Sequence, residues 1–365
     1  MFKKIIPLAI ITAVFLSGCA FKGNSKISSM ISNNKAEITV YIPKGTHLDP
    51  KYNKDKDVAI NYLPNRKDGY TKKDVENIVN NIDKHVKVLI ITSEKPGLEP
   101  VFKMVKSKLP GVVTVAGDMQ EMRDDDLYKI SKDQNINVSL KIDRELNGVV
   151  SLKMAKMMKA KKFIYLYLPN NPNYNVDLEK TKLYSKKLGL QFIPVKLNPN
   201  DITQDIVDNA ILKKIDGDFS TTAVYPSSDK LSPLVLNLCK DKKFIIPNLN
   251  SDNDGKLMAK TFGLEKEYLD DSRSVFDKKL DKKLKEYGLD NKIAGISEGK
   301  MSIPAEISIE TSKYMYEKNY MLEECYEDGS LIERGNRRLD LLIHPEDIFQ
   351  SNSYSRNLIL YPRIY

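Results

Sequence analysis

The chain has 365 residues, of which 41% are hydrophobic and 29% charged. That balance excludes a disordered chain and leaves room for two ordinary domains. The net charge of +9 comes from scattered lysines without an arginine-rich block, which argues for a solvated surface mildly drawn to anionic lipid and against nucleic-acid binding.

Lys3 and Lys4 precede an apolar run from Ile5 to Leu16, and Leu16-Ser17-Gly18-Cys19 closes it. A charged start, an apolar run too short for a membrane span and small residues at the break predict a signal peptide over 1–18. Leu-Ser-Gly-Cys resembles the bacterial lipoprotein processing box. The resemblance implies that Cys19 becomes the new N-terminus and is acylated, palmitate among its chains. Acyl chains contribute about 0.8 kcal/mol per buried methylene. The expected location is therefore a membrane-anchored lipoprotein on the extracytoplasmic side. Residues 19–36, rich in Ser, Asn and Lys, read as the lipidated Cys and a flexible tether.

The first strand is expected over Glu37–Ile42 and the second over Val58–Leu63, with only 15 residues between them, barely enough for a crossover helix. Thr71 caps a helix through Lys84, with Val75, Ile78, Val79 and Ile82 on one face. Val86–Thr92 reads as a buried strand, Leu98–Leu109 as a helix and Val112–Gly117 as a strand. Ile136–Asp143, Arg144–Ala160 and Lys161–Pro169 then read strand, helix, strand, and this unit is expected to make the first crossing between two α/β lobes. The second lobe repeats the alternation: helices from about Val176, Thr203 and Leu231, and strands at Leu190–Leu197, Thr221–Tyr225 and Lys243–Pro247. Ser251–Gly255 reads as a turn returning the chain to the first lobe. A Lys-rich helix over Asp271–Tyr287, a short strand at Ile293–Ser297 and a helix over Ala305–Lys318 follow. Leu339–Ile343 and Leu358–Tyr361 close the chain beside the second lobe or the hinge. The fold expected is α/β, with two doubly wound parallel-sheet lobes joined by a hinge. Lobe one takes 37–142 plus about 254–300, and lobe two takes 143–253 plus about 301–365.

Two such lobes behind a lipobox resemble solute-binding proteins of the type I periplasmic class. Within that class the chain is similar to a solute-binding-like family of bacterial lipoproteins whose function is not defined. The residues that carry the resemblance are Val88-Leu-Ile-Ile-Thr-Ser-Glu-Lys-Pro96, Ala116-Gly117, Ile142-Asp143 with Gly148, and the helix end Met157-Met-Lys-Ala160. Tyr167-Leu-Pro169, Leu188-Gly189 and Ser302-Ile-Pro304 ahead of Glu310 and Tyr314 complete it. The resemblance implies a lipid-anchored binding protein serving an ABC importer. The chain departs from the pattern in its short first βα unit and in the loops Asn170-Asn-Pro-Asn-Tyr174 and Pro226-Ser-Ser-Asp229.

In open α/β sheets, ligands bind beyond the carboxyl ends of the strands. That rule nominates Thr46, Glu94, Lys95 and Asp118 in the first lobe and Asp143 at the hinge. In the second lobe it nominates Asn170, Asn171, Tyr174, Tyr225, Ser227 and Asn248. Asn and Ser would hydrogen-bond a polar ligand and Tyr would stack on it. Each also has a plainer reading as a turn former or cap: Asp143 as N-cap of the crossing helix, Glu94 and Lys95 as a surface pair. Trp is absent and Tyr is plentiful at 19. His47, His85 and His344 lie far apart, and no Cys/His spacing suits a metal. Cys239, on an apolar face, reads as a buried thiol, with a Cys239–Cys325 disulfide as the alternative. No nucleophile elbow, P-loop or dinucleotide fingerprint occurs. The expectation is a non-enzyme without cofactor: a receptor closing two lobes on a small polar ligand, with membrane lipid and an ABC permease as its partners and no nucleic acid. The alternative is a sensory or structural surface lipoprotein that keeps the fold without a ligand.

Overall fold

The structure is a computed structural model. It describes residues 36–119, 133–169, 172–318, 342–347 and 354–365, with side chains left out at 172–175, 342–347 and 354–355. Residues 1–35, which include Cys19 and where the signal peptide and tether are expected, lie outside the described residues, as does Cys325.

The first sheet is built on β1 (Ile38–Ile42), β2 (Val58–Tyr62), β3 (Val88–Thr92), β4 (Val113–Gly117) and β5 (Val138–Ile142). Two late strands, β10 (Leu342–Asp347) and β11 (Tyr354–Tyr361), join them in the order β10-β11-β5-β4-β3-β1-β2. All pairs are parallel except β10 with β11. The side-chain period of two assigns each strand's residues to opposite faces. Val40, Ile90, Val115 and Leu140 share one buried cluster. Tyr41, Leu89, Ile91 and Ala116 share another with α1 (Lys72–Asn81) and α2 (Glu99–Lys108). Both faces being covered explains why β3 is an unbroken apolar run, buried at all positions. Thr71 caps α1 in a capping box with Asp74, as its spacing predicts. The short first unit crosses from β1 to β2 by a 3-10 helix, Pro50–Lys54, in place of an α-helix.

The second sheet has the order β7-β6-β8, all parallel, from β6 (Lys162–Tyr167), β7 (Gln191–Lys196) and β8 (Thr222–Pro226). The stretch expected as a strand at 243–247 forms only single bridges, Ala223 to Ile245 and Ile246 to Ile293. A two-residue pair, β9 (Ala294–Gly295) with β12 (Arg363–Ile364), follows. Ile164, Leu166, Val195 and Val224 pack one way, against α5 (Gln204–Leu212), α6 (Ser232–Lys242), α7 (Asp254–Phe262) and α9 (Arg273–Glu286). Phe163, Tyr165 and Tyr225 pack the other way, against α3 (Asn147–Met157) and the side of α4 (Pro172–Leu188) that carries Leu178. A short helix α8 (Glu265–Asp270), absent from the sequence reading, lies between α7 and α9.

Three expectations are corrected. The late chain is allocated the other way round. α10 (Ser302–Lys318) lays Ile303, Ile307 and Ile309 on the first sheet, and β11 pairs with β5. Residues 254–300 instead pack in the second lobe, where Met258, Phe262, Phe276 and Leu280 join its core. The physical reason is cover: one face of the first sheet has α1 and α2, and the other needs the apolar stripe of α10. Ser251–Gly255 is accordingly no return to the first lobe; Asn253 caps α7 by accepting from the Lys256 amide. Asp143 does not cap α3, whose N-cap is Leu146. Its carboxylate accepts from the Glu145 amide at 2.8 Å, two residues on, an Asx-type turn that competes with capping. The first crossing itself falls where expected, after β5. Among the described residues the chain also passes between the sheets at 296–301 and at Pro362.

Candidate functional site

The strand ends of both sheets meet beside these crossings. Asp118 follows β4 in a left-handed conformation, φ 48°, and is fully buried. Its carboxylate accepts from Arg144 Nη1 at 3.0 Å and Nη2 at 2.5 Å, and from the Ile142 amide at 3.2 Å. A buried carboxylate needs such pairing. Burial works against the Arg144 charge, but Asp118, joined by Asp252 and Asp143, holds its pKa above the ordinary value. The β5 end thus presents a guanidinium fixed from below by a buried acid.

The second lobe contributes the segment Asn248–Asp254. Asn250 is the other left-handed non-glycine residue here, φ 54°, a conformation that Asn tolerates and that recurs at functional sites. Its amide nitrogen donates to Asn248 Oδ1 at 3.0 Å. Its side-chain oxygen accepts from Asn147 Nδ2 at 3.1 Å and from Lys300 Nζ at 3.3 Å, and its Nδ2 donates to the Pro226 carbonyl at 3.4 Å. Burial pushes the Lys300 ammonium down, against the pull of Asp254 and Asp252. Burial pushes the Asp254 carboxyl up, although it accepts from Ser251 and from the Ile296 amide. Together Asn147, Asn248, Asn250, Ser251 and Lys300 line a pocket closed by Ile142 and Leu360 of the first lobe. Its floor is polar, with Asp254 and Glu298 also in the lining, and its walls are apolar; as closed here it has room for no more than about one water molecule, so a ligand would need the lobes to part.

The nominated residues divide. Asn248 lines the pocket; Asp118 does not, and stands near it only through Arg144, whose charge acts on Lys300. Ser227 is buried after β8; its amide donates to the Leu166 carbonyl and its hydroxyl has no hydrogen-bond partner among the described residues. Asp143 is half-buried, its amide bonded to the Leu358 carbonyl. Thr46 lies in a turn closed by its amide on the Pro43 carbonyl. Glu94 is exposed, and the Lys95 amide donates to Ser93 Oγ at 3.1 Å. Tyr225 is corrected: it is 1% exposed and packs on Tyr165 with ring centroids 5.2 Å apart, inside the second lobe. It stands one residue before the strand's end, where the pleat still turns it inward. Asn170 and Asn171 lie outside the described residues, as does the Tyr174 side chain.

Arg144, Asn147, Asn250 and Lys300 escaped sequence reasoning. Arg144 carried a usable signal, a cation directly after a strand end and its acid. Lys300 carried none, being one lysine among many. Cys239 is a buried free thiol, and burial pushes it up to about 12. Among the described residues no helix is long and apolar enough to cross a membrane, and no acid, His or Cys group is arranged to hold a metal.

A structure from Clostridium difficile 630, assigned provisionally to a transcriptional regulator, superposes with a TM-score of 0.74 at 17% identity. The match covers 91% of this chain and 99% of that one. A sugar ABC transporter protein from Actinomyces odontolyticus matches at TM-score 0.49 and 9% identity, over 90% and 95% of the two chains. No curated protein matches. The fold is that of the type I periplasmic-binding-protein class. Residues 44–248, more than half the chain and including Asp118, Arg144, Asn147 and Asn248, match the family described as "Protein of unknown function (DUF3798)", and the chain belongs to that family.

Proposed function

We propose that the chain is a lipid-anchored extracytoplasmic solute-binding protein. Tethered through acylated Cys19, it closes two lobes on a small polar ligand and hands it to an ABC-type importer. The ligand is bound and released unchanged, without cofactor or catalytic step. One observation carries the reading: a polar floor drawn from the strand ends of both lobes and from the crossings that join them. A ligand touching both lobes favours the closed form by its differential affinity, and hinge closure is an established mode for two-lobed folds.

The test is a thermal-shift screen of the detergent-solubilised chain against metabolite pools, with X-ray scattering on any hit. Binding to the native state at 100 times Kd adds about 2.7 kcal/mol. A raised Tm together with compaction supports the receptor; no shift with any pool overturns it. One feature favours the alternative of a ligand-free sensory or structural lipoprotein. The floor groups already satisfy one another through Asn250. That reading expects silence across the same screen. The anchor is tested separately: in a bacterial host, Cys19→Ala abolishes palmitate incorporation and moves the protein out of the membrane fraction.

A further inference from the structure

A second cluster of charges adjoins that floor and shares Glu298 with it, on the flank where the segment after β1 meets α8 and α9. Arg273 opens α9, whose Phe276, Leu280 and Leu284 are fixed in the second-lobe core. Its guanidinium reaches into the first lobe and pairs with Glu306 of α10, whose side chain is fully buried. The same guanidinium pairs with Glu298 on the second crossing. Its backbone amide donates to Asp49 Oδ2 at 3.0 Å, and the Asp49 amide donates to Glu306 Oε1 at 2.8 Å. Beside them the His47 ring sits 4.9 Å from that of Tyr268, first lobe against second.

We propose that Arg273, Glu306 and Asp49 form an interlobe latch that holds the two lobes together on this flank and must open for the cleft to open. The side chains come from different lobes, so a hinge rotation at the crossings separates them. Glu306 and Glu298 are buried and Arg273 nearly so, so these charges depend on each other, while Asp49 is half-buried at the edge of the cluster. Once the flank parts, water solvates all of them, so the latch is reversible and not a weld. Two carboxylates facing one guanidinium weaken the closure further, since like charges in a low-dielectric site repel. α9 has a second tie: Tyr365 donates to Asp277 at 3.2 Å and Arg363 pairs with Asp281 at 3.0 Å. The helix therefore links the latch to the third crossing, and opening has to carry it.

The latch stands whether or not the cleft takes a ligand, so its test uses none and is read apart from the metabolite screen. Spin labels at Lys103→Cys and Lys213→Cys, one per lobe, report the interlobe distance in the full chain. The latched chain gives one narrow distribution, with an open population below about 10%. Arg273→Gln with Glu306→Gln, which removes the charges and keeps comparable volume, is expected to raise the open population severalfold. An unchanged distribution in a chain that is folded by circular dichroism overturns the latch. Should that pair of substitutions unfold the chain, hydrogen exchange on the unsubstituted protein decides. The Asp49 and Arg273 amides, one in each lobe, are expected to exchange through one shared opening, at least about tenfold slower than free amides. Fast exchange, or unrelated rates, overturns it.

Discussion

Glu298 is buried next to Arg273, yet burial pushes its carboxyl up to about 7, and Glu306 and Asp277 add to the rise. An unfolded glutamate titrates near 4.5. Between those pH values the folded chain holds a proton that the unfolded chain releases. The stability this contributes is full below about pH 4.5 and is lost as the pH rises through 7. Asp177, raised to about 6 by burial, acts in the same direction from a lower starting value. Urea melts at pH 5 and pH 8 are expected to show the loss, and Glu298→Gln to shrink it. Gly148 makes a steric prediction. A Cβ there would stand 2.1 Å from Thr181 Oγ1 and 2.8 Å from both Asp177 oxygens, while its amide donates to Asp177. Gly148→Ala is expected to cost about 1–3 kcal/mol by overpacking α3 on α4, read as a lower Tm. Asp118 and Arg144 make a third. Arg144→Gln strands a buried carboxylate and is expected to cost about 3–5 kcal/mol. Adding Asp118→Asn should recover part of that loss, so the two losses fail to add in a double-mutant cycle. Of these residues Asp118 was legible as the residue after a strand end. Arg144 was legible as a cation after a strand end, but its pairing with Asp118 was not, because a pair 26 positions apart leaves no local pattern.

Elements were far more legible, because each writes its period into the sequence. β3 declared itself by an apolar run bounded by polar residues, and α1 by its cap Thr71 and its stripe of Val75, Ile78 and Val79. The failures have local causes. Tyr225 was read as the last strand residue, facing the strand-end loops, but the strand runs one residue further to Pro226 and the pleat turns the Tyr225 ring into the core of the second lobe. Asp143 was read as a cap because it precedes a helix, but its carboxylate closes its own turn first. α10 is the element whose address could not be read. Its stripe of Ile303, Ile307 and Ile309 fits either sheet and goes to the first. Ile307→Ala is therefore expected to cost about 2–5 kcal/mol. The loss should appear in hydrogen exchange of β1, β3 and β4 before that of β6 and β8.

At the scale of the molecule, the first lobe is assembled from both ends of the chain. Ending the chain at Lys300 removes α10 and β11, and with them the cover of one sheet face and the partner of β5. Such a chain is expected to lose its cooperative melt and to bind a hydrophobic dye, both measured against the full length. The sequence by itself determined the α/β class, the two-lobe alternation, the first crossing and most of the long helices and strands to within a few residues, but not the short α8 or β12. These are periodic, nearest-neighbour properties, and apolar spacing and caps are enough to write them. Only the tertiary structure decided which sheet the late segments join, which strand-end residues face one another, and that a guanidinium from one lobe is held by carboxylates of the other. Those depend on free faces and on charge pairs tens to hundreds of residues apart, where burial leaves no choice but to pair, and no run of sequence records that.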